Sequence, residues 1–159
     1  MQRLRFFMDL SGNKDLLDRR LVAFFASRKA TPHDTQLALQ WAADICQTDK
    51  VVISGFHSLI ERAVLDILLA NGCSVVVALG RSLYRKIPMH LQSAYDSNRV
   101  LFVSFRDHPR SSFSNSQTRN WLTTDLASEV VFAPFDNSSQ LSSLHYSIAH
   151  SSKPCIILK

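Results

Sequence analysis

Short apolar segments alternate with longer segments of helical spacing along most of the chain. Six of the apolar segments have the length and the β-branched composition of strands. They span residues 20–27, 50–55, 73–80, 99–105, 129–135 and 154–158. The third, CSVVVALG, is continuously apolar, which is typical of a strand covered on both faces. The pattern therefore predicts an α/β fold with a mainly parallel sheet of about six strands and helices on both faces.

Three helices are predicted between the strands. Residues 31–47 include a Thr-Pro helix start and then repeat apolar side chains every three to four positions. Residues 58–72 begin with Ser58 and Glu61, whose spacing is that of a capping box. Residues 139–151 show a helical pattern before the last strand.

Two stretches are less regular than the rest. The first 19 residues hold a strand candidate, LRFFM, and a turn at residues 11–13. Residues 106–118 are polar and of low complexity, so we predict a mobile loop there. Residues 1–159 are expected to form a single domain, because a chain of this length holds one sizeable core but hardly two.

The charge balance favours an anionic partner without identifying it. The chain has 18 Lys and Arg residues against 13 Asp and Glu residues, a net charge of +5.

Cys46, Cys73 and Cys155 are isolated in apolar surroundings, so we expect reduced thiols in a cytoplasmic protein. No apolar stretch approaches the roughly 18–20 residues of a membrane span, and the N-terminus is not a convincing secretion signal.

Cations and helix starts follow the predicted strands. Parallel strands end at one edge of a sheet, and ligands bind beyond that edge in open α/β folds. The residues predicted to meet there are Ser27, Arg28, Lys29, Ser54, Gly55, Phe56, His57, Arg81 and, further along the chain, Arg119. Because a helix N-terminus offers free N–H groups and positive charge, this combination suits a phosphate. We expect the N–H groups of residues 55–57 to cradle it.

Aromatic residues are interleaved with these cations. Phe56, Tyr84, Phe113 and Trp121 are the ones nearest to them in the sequence. Base stacking on such rings contributes roughly 1–3 kcal/mol each in proteins that bind single strands. Taken singly, each ring is more typical of a core, but together with the cations they favour a nucleic-acid ligand.

The motifs of common enzyme classes are missing. The sequence contains no GxGxxG after the first strand, no GxxxxGK[ST] and no HExxH. His145 and His150 are five residues apart and do not share a helix face. Asp136 and Ser138 are more typical of a helix cap than of an acid and a nucleophile. We therefore predict a protein that is not an enzyme and has no cofactor or metal site.

The order of the motifs resembles the Rossmann-like domain of the DprA/Smf family of DNA-processing proteins, within the superfamily that includes the LOG-type nucleotide-binding proteins. LRFFMDLSGNKDLLDRRLVAFFASRKATPHD is similar to the first segment of that family, with Ala-Ser-Arg in place of its Gly-Ser/Thr-Arg. VVISGFHSLIERAVLDILLANGCSVVVALGRSLYRKIP resembles its V-S-G-x-A-x-G-I-D-x-x-A-H helix start and Tyr-Pro turn. TRNWLTTDLASEVVFAP resembles its R-N-R-I-I-A-G-L-S stretch, with Arg119 and Asn120 retained.

The sequence departs from the family pattern at several positions. Leu59-Ile60-Glu61 replaces Gly-Ile-Asp, Trp121 replaces the second Arg, and residues 137–139 replace a Ser-Gly pair. The P-G-G-x-G-T-x-x-E signature of the LOG-type enzymes is absent, which speaks against phosphoribohydrolase activity.

The resemblance implies a three-layer Rossmann-like fold and adds Asn120 to the site. It also implies non-catalytic binding of single-stranded DNA, delivery of that DNA to the recombinase RecA, and self-association as a homodimer. Two alternatives stay open. One is a pocket for a small nucleotide-like ligand, in a sensor or hydrolase, and the other is a degenerate domain kept for protein contacts.

Overall fold

The computed structural model describes residues 8–29, 31–105 and 113–159. Its seven strands are β1 (Asp9–Gly12), β2 (Leu21–Phe25), β3 (Val51–Ser54), β4 (Val75–Leu79), β5 (Val100–Ser104), β6 (Glu129–Phe132) and β7 (Cys155–Ile157). The α-helices in the same part of the chain are α1 (Pro32–Ile45), α2 (Leu59–Ala70), α3 (Met89–Asp96), α4 (Phe113–Leu126) and α5 (Leu141–Ala149). A short 3-10 helix, Lys14–Asp18, follows β1.

The strands form one sheet in the order β1-β5-β4-β3-β2-β6-β7. Strands β2 to β7 are parallel, and β1 pairs antiparallel with β5 at one edge. Strands β2, β3, β4 and β5 are neighbours in that order, and β6 lies on the other side of β2. The strand order therefore reverses between β2 and β6, the kind of position where open α/β sheets bind ligands. We call the edge where the parallel strands end the carboxyl edge.

Both faces of the sheet are covered, which explains the continuous apolar runs of its strands. Every residue of β2, β3, β4 and β5 is buried. Helices α1, α2 and α3 pack on one face around Phe24 and Phe102. The 3-10 helix, α4 and α5 pack on the other face around Phe25 and Phe132. The predicted three-layer α/β fold with a mainly parallel sheet is confirmed.

Capping boxes begin α1 and α2. Thr31 Oγ1 accepts a hydrogen bond from Asp34 N at 3.1 Å, and Asp34 Oδ2 accepts one from Thr31 N at 3.2 Å. Ser58 and Glu61 form the same pair of bonds at 3.2 and 3.3 Å. Each cap satisfies N–H groups that have no partner within the helix, which stabilises a helix start by about 1 kcal/mol.

The structure describes an N-terminal strand just after the predicted candidate. Residues 4–7 of the candidate LRFFM lie outside the described residues, Met8 is not in a strand, and the described strand covers Asp9–Gly12. Gly12 belongs to this strand rather than to a separate turn, and its φ of +117° is a conformation that favours glycine. Asn13 then caps the 3-10 helix by accepting a hydrogen bond from Asp15 N.

Two helices also differ from the prediction. Residues 106–112 of the predicted loop lie outside the described residues, but α4 begins at Phe113, so residues 113–118 are helical. Helix α3 was not predicted, because its eight residues lack a side-chain cap at Pro88 and bury only Leu91 and Ala94. None of the helices that the structure describes is long and apolar enough to cross a membrane.

Candidate functional site at the carboxyl edge

The loops after β2 and β6 lie side by side at the reversal of strand order. Ser27, Arg28 and Lys29 follow β2, and both cationic side chains are exposed. Asp136 follows β6, and its Oδ1 accepts hydrogen bonds from Ser138 Oγ at 2.5 Å and Ser138 N at 3.0 Å. These bonds, with a smaller effect of the Lys29 charge, lower the pKa of the Asp136 carboxyl group. Asp136 thus shapes the turn before α5 and does not cap that helix, whose N-cap is Gln140.

Glu61 connects the loop after β2 to the turn after β3. Its side chain is only 7% exposed. Oε2 accepts a hydrogen bond from Ala26 N at 3.0 Å, and Oε1 accepts bonds from His57 N at 2.8 Å and Ser58 N at 3.3 Å. One carboxylate therefore holds two loops of the carboxyl edge together.

Arg119 extends from α4 into the same region and is only 8% exposed. Its guanidinium group lies against Gly55, where a Cβ atom would stand 2.8 Å from both Cζ and Nη1. Nη2 and Nε donate to Asn120 Oδ1 at 3.0 and 3.3 Å. Burial lowers the pKa of Arg119, and the negative charge of Glu61 opposes that shift. The turn after β3 needs a glycine here because the guanidinium occupies the space of a side chain.

His57 lies among three guanidinium groups. Packing of protein atoms around the ring lowers its pKa to about 4, although part of the residue is exposed, and the charges of Arg119, Arg62 and Arg28 contribute to that shift. The imidazole is therefore neutral at pH 7. The positive charges of three residues, from the loop after β2, from α2 and from α4, thus act on one uncharged ring, and we call these four residues the arginine cluster.

Most of the backbone N–H groups that were expected to bind a phosphate already have partners within the protein. Phe56 N donates to Ser54 Oγ at 3.1 Å, and His57 N donates to Glu61 Oε1. Two of the three N–H groups in residues 55–57 thus hold the turn itself together, and this part of the prediction is wrong. Phe56 adopts a left-handed conformation with φ of +52° and is 7% exposed, so its ring packs in the core and offers no stacking surface.

Arg81 and Tyr84 form a separate pair at the carboxyl edge, after β4. The Arg81 Cζ atom lies 4.5 Å from the centroid of the Tyr84 ring, a cation–π arrangement. The ring in turn packs edge-on against Phe102, with centroids 5.6 Å apart. Strand β4 is two positions from β2 in the sheet, so this pair flanks the arginine cluster on the β3 side.

Trp121 faces away from the arginine cluster. It follows Arg119 by two residues, a rotation of about 200° around a helix. Arg119 is buried, whereas Trp121 is 45% exposed. The expectation that this ring stacks on bases beside the buried cation is therefore wrong. The side chain of Phe113, another predicted platform, lies outside the described residues.

Sequence reasoning missed the roles of two residues. Glu61 was identified only as half of a capping box, because its bond to Ala26 spans too many residues to show in local spacing. Arg62 was overlooked. The helix dipole disfavours a cation in the first turn of a helix, so an arginine at this position is a sequence signal for a functional role. Within the described residues no cluster of three or more His, Cys, Asp and Glu side chains could hold a metal ion.

Comparisons with known proteins support the fold and identify the family. A model of the family DNA recombination-mediator protein A matches residues 3–151. No curated protein matches the sequence. The chain is similar to the DNA processing protein A of Streptococcus pneumoniae, with 19% identity and a TM-score of 0.76, and the match covers 94% of this chain but only 54% of that one.

Two further solved structures share the fold. The DNA processing protein A of Helicobacter pylori, described for its single-stranded DNA binding mode, has 20% identity, a TM-score of 0.74 and coverage of 94% and 70%. The Moco carrier protein of Chlamydomonas reinhardtii has 12% identity, a TM-score of 0.56 and coverage of 88% and 76%. Such low identities establish the fold alone. Because the family model covers nearly the whole sequence, the chain belongs to the DNA recombination-mediator protein A family.

Proposed function

We propose that the protein binds single-stranded DNA without catalysis through the arginine cluster and the neighbouring Arg81–Tyr84 pair. The observation that carries this proposal is that Arg28, Arg62 and Arg119, from three separate elements, all lie close enough to the His57 ring for their charges to lower its pKa. Guanidinium groups bind phosphate with paired, charge-assisted hydrogen bonds, and three of them in one place suit a polyanion better than a neutral ligand.

The buried and exposed arginines have different tasks in this proposal. Arg119 is held by Asn120 and by the surface of Gly55, so little side-chain entropy is lost when it contacts a phosphate. Arg28 and Lys29 are exposed in the loop after β2 and contact the neighbouring phosphates of the strand. Phosphate contacts of this kind position a strand without reading its sequence.

Tyr84 provides the stacking surface for a base. Its ring is partly buried against Phe102 and carries the Arg81 guanidinium on its face. A base that stacks on this pair gains roughly 1–3 kcal/mol, and every base has a face that can do so. Binding is therefore expected to be tolerant of sequence.

Family membership supports three wider parts of the proposal. We extend it to delivery of the bound strand to RecA, to self-association as a homodimer and to a place of action in the cytoplasm. The chain spans about half the length of the S. pneumoniae relative, so these properties are proposed for the domain and not transferred from the whole protein.

The test is a titration of labelled oligo-dT at several salt concentrations. The double variant Arg28→Ala/Arg119→Ala is expected to weaken binding at least tenfold. It should also reduce the slope of log K against log salt by about 1.4, which is about 0.7 for each phosphate that the variant no longer neutralises. The matched control is Arg19→Ala/Arg20→Ala, which removes the same charge from the opposite edge of the sheet. Equal reductions of affinity in both double variants would overturn the proposal, because net charge alone would then explain the binding.

A nucleotide-like ligand is the second candidate, because the three arginine charges of the cluster act on a single imidazole and a single phosphate would satisfy them. In that case mononucleotides raise the melting temperature of the protein, and longer oligonucleotides raise it no further. A domain kept for protein contacts would bind neither ligand measurably.

A further inference from the structure

Glu61 makes more hydrogen bonds than a helix cap requires. In a capping box, the side chain at this position returns to the N–H of the cap residue. Glu61 makes that bond to Ser58 N at 3.3 Å, but its bonds to His57 N and to Ala26 N are shorter, at 2.8 and 3.0 Å. The shortest hydrogen bonds of the carboxylate are therefore outside the helix that it caps.

The length of the side chain makes these bonds possible. An Asp side chain is shorter by one methylene group, so it can cap α2 but cannot also reach Ala26 N at the end of β2. The bond between the two loops thus depends on the length of the Glu61 side chain.

Both loops carry members of the arginine cluster. Ala26 stands two residues before Arg28, and His57 is itself one of the four residues. The negative charge of Glu61 also acts on Arg119. The carboxylate therefore joins the end of β2, two residues before Arg28, to the backbone of His57, and its charge offsets part of the positive charge of Arg119.

We propose that Glu61 is a positioning residue of the anion site, which preassembles the arginine cluster before any ligand binds. This inference rests on the proposed function, since it assigns the cluster to phosphate binding. Preassembly raises affinity because the cost of bringing like charges together is met during folding and not during binding.

The test compares Glu61→Asp and Glu61→Ala with Asp34→Ala. Asp34 has the same place in the capping box of α1, but its carboxylate bonds back to Thr31 N of its own cap, so it is the matched control for loss of a cap. We expect Glu61→Asp to weaken oligo-dT binding at least fivefold and Glu61→Ala more, whereas Asp34→Ala changes it less than twofold. Glu61→Asp keeps the charge and the cap, so it remains informative if Glu61→Ala does not fold.

Two measurements that need no DNA separate this inference from the proposed function. In Glu61→Asp, NMR should show a small rise in the pKa of His57 from about 4, because Arg28, the smallest of the charge effects on the ring, moves away while the ring stays buried. Hydrogen exchange at Ala26 N should accelerate at least tenfold. If the wild type does not bind oligo-dT, the proposed function fails, while these two readouts still decide the positioning role. An unchanged His57 pKa and unchanged Ala26 exchange in Glu61→Asp would overturn the inference.

Discussion

The guanidinium group of Arg119 occupies the space that a side chain at residue 55 would need. A Cβ atom on Gly55 would stand 2.8 Å from Cζ and Nη1 of Arg119, closer than real Cβ atoms approach other heavy atoms. The arginine is buried and held by Asn120, so it cannot move aside without breaking these hydrogen bonds. The position of the Arg119 guanidinium therefore depends on the absence of a side chain at Gly55.

Gly55→Ala is expected to displace Arg119 from the arginine cluster. Overpacking of this kind costs typically about 1–3 kcal/mol of folding free energy, and the displaced cation should weaken oligo-dT binding at least fivefold. Urea unfolding and a binding titration measure the two effects. Gly72→Ala is the control, because its φ of +74° strains an alanine while nothing lies within 4 Å of the new Cβ. It should lower stability by about 1 kcal/mol and leave binding unchanged.

The neutral state of His57 predicts a pH dependence of stability. Its pKa is about 4 in the folded protein and close to 6.5 in the unfolded chain. Between these values the unfolded chain binds a proton that the folded protein does not, so the free energy of unfolding should fall as the pH drops from 6.5 to 4. His57→Gln should reduce this slope. Urea unfolding at three pH values between about 4.5 and 7 measures the slopes.

The same histidine predicts a pH dependence of binding. Bound phosphates stabilise the imidazolium form and offset the three arginines, so the pKa of His57 should rise in the complex. The complex then takes up a proton, and affinity for oligo-dT should increase as the pH falls from about 7 to about 5. A titration at constant salt measures this trend. Identical pH profiles for the wild type and His57→Gln would contradict the placement of the ring beside the bound strand.

Two aromatic positions should differ in their effect on binding. Tyr84→Leu removes the ring beneath Arg81 and is expected to weaken oligo-dT binding about fivefold or more, in line with about 1 kcal/mol or more of stacking. Trp121→Leu should change the affinity less than twofold, because that ring is on the outer side of α4. Fluorescence anisotropy with a labelled oligonucleotide compares them. A larger effect of Trp121→Leu than of Tyr84→Leu would mean that the strand runs along α4.

Gly12 should be more sensitive to substitution by alanine than Gly55 or Gly72. A Cβ atom there would stand 2.2 Å from the carbonyl oxygen of Val100, and φ is +117°. Gly12→Ala is expected to break the antiparallel pairing of β1 with β5 and to lower the free energy of unfolding by about 2 kcal/mol or more. Hydrogen exchange at Leu10 would report the broken pairing directly, since Leu10 stands opposite Val103. If the variant remains folded, oligo-dT binding should persist, because Gly12 lies near the amino end of β5, away from the arginine cluster.

Local features of the fold could be predicted because their causes lie close together in the chain. The capping boxes at Thr31 and Ser58 depend on residues three positions apart, and the buried strands depend on runs of four or five apolar residues. Helix α3 escaped prediction for the corresponding reason, since it has neither a side-chain cap nor a long apolar stripe. The left-handed conformation of Phe56 also escaped, because no local pattern indicates a positive φ at a phenylalanine.

The amino-acid sequence by itself determined the alternation of strands and helices, the edge at which the cations are found and the family. Each of these follows from local periodicity, from net charge or from the order of motifs along the chain. Only the tertiary structure decided that the charges of Arg28, Arg62 and Arg119 act on His57, that Glu61 bonds two loops, and that the amides of Phe56 and His57 already have partners. These relationships join residues from separate strands and helices. They depend on the direction and burial of side chains, which are set only when the layers pack.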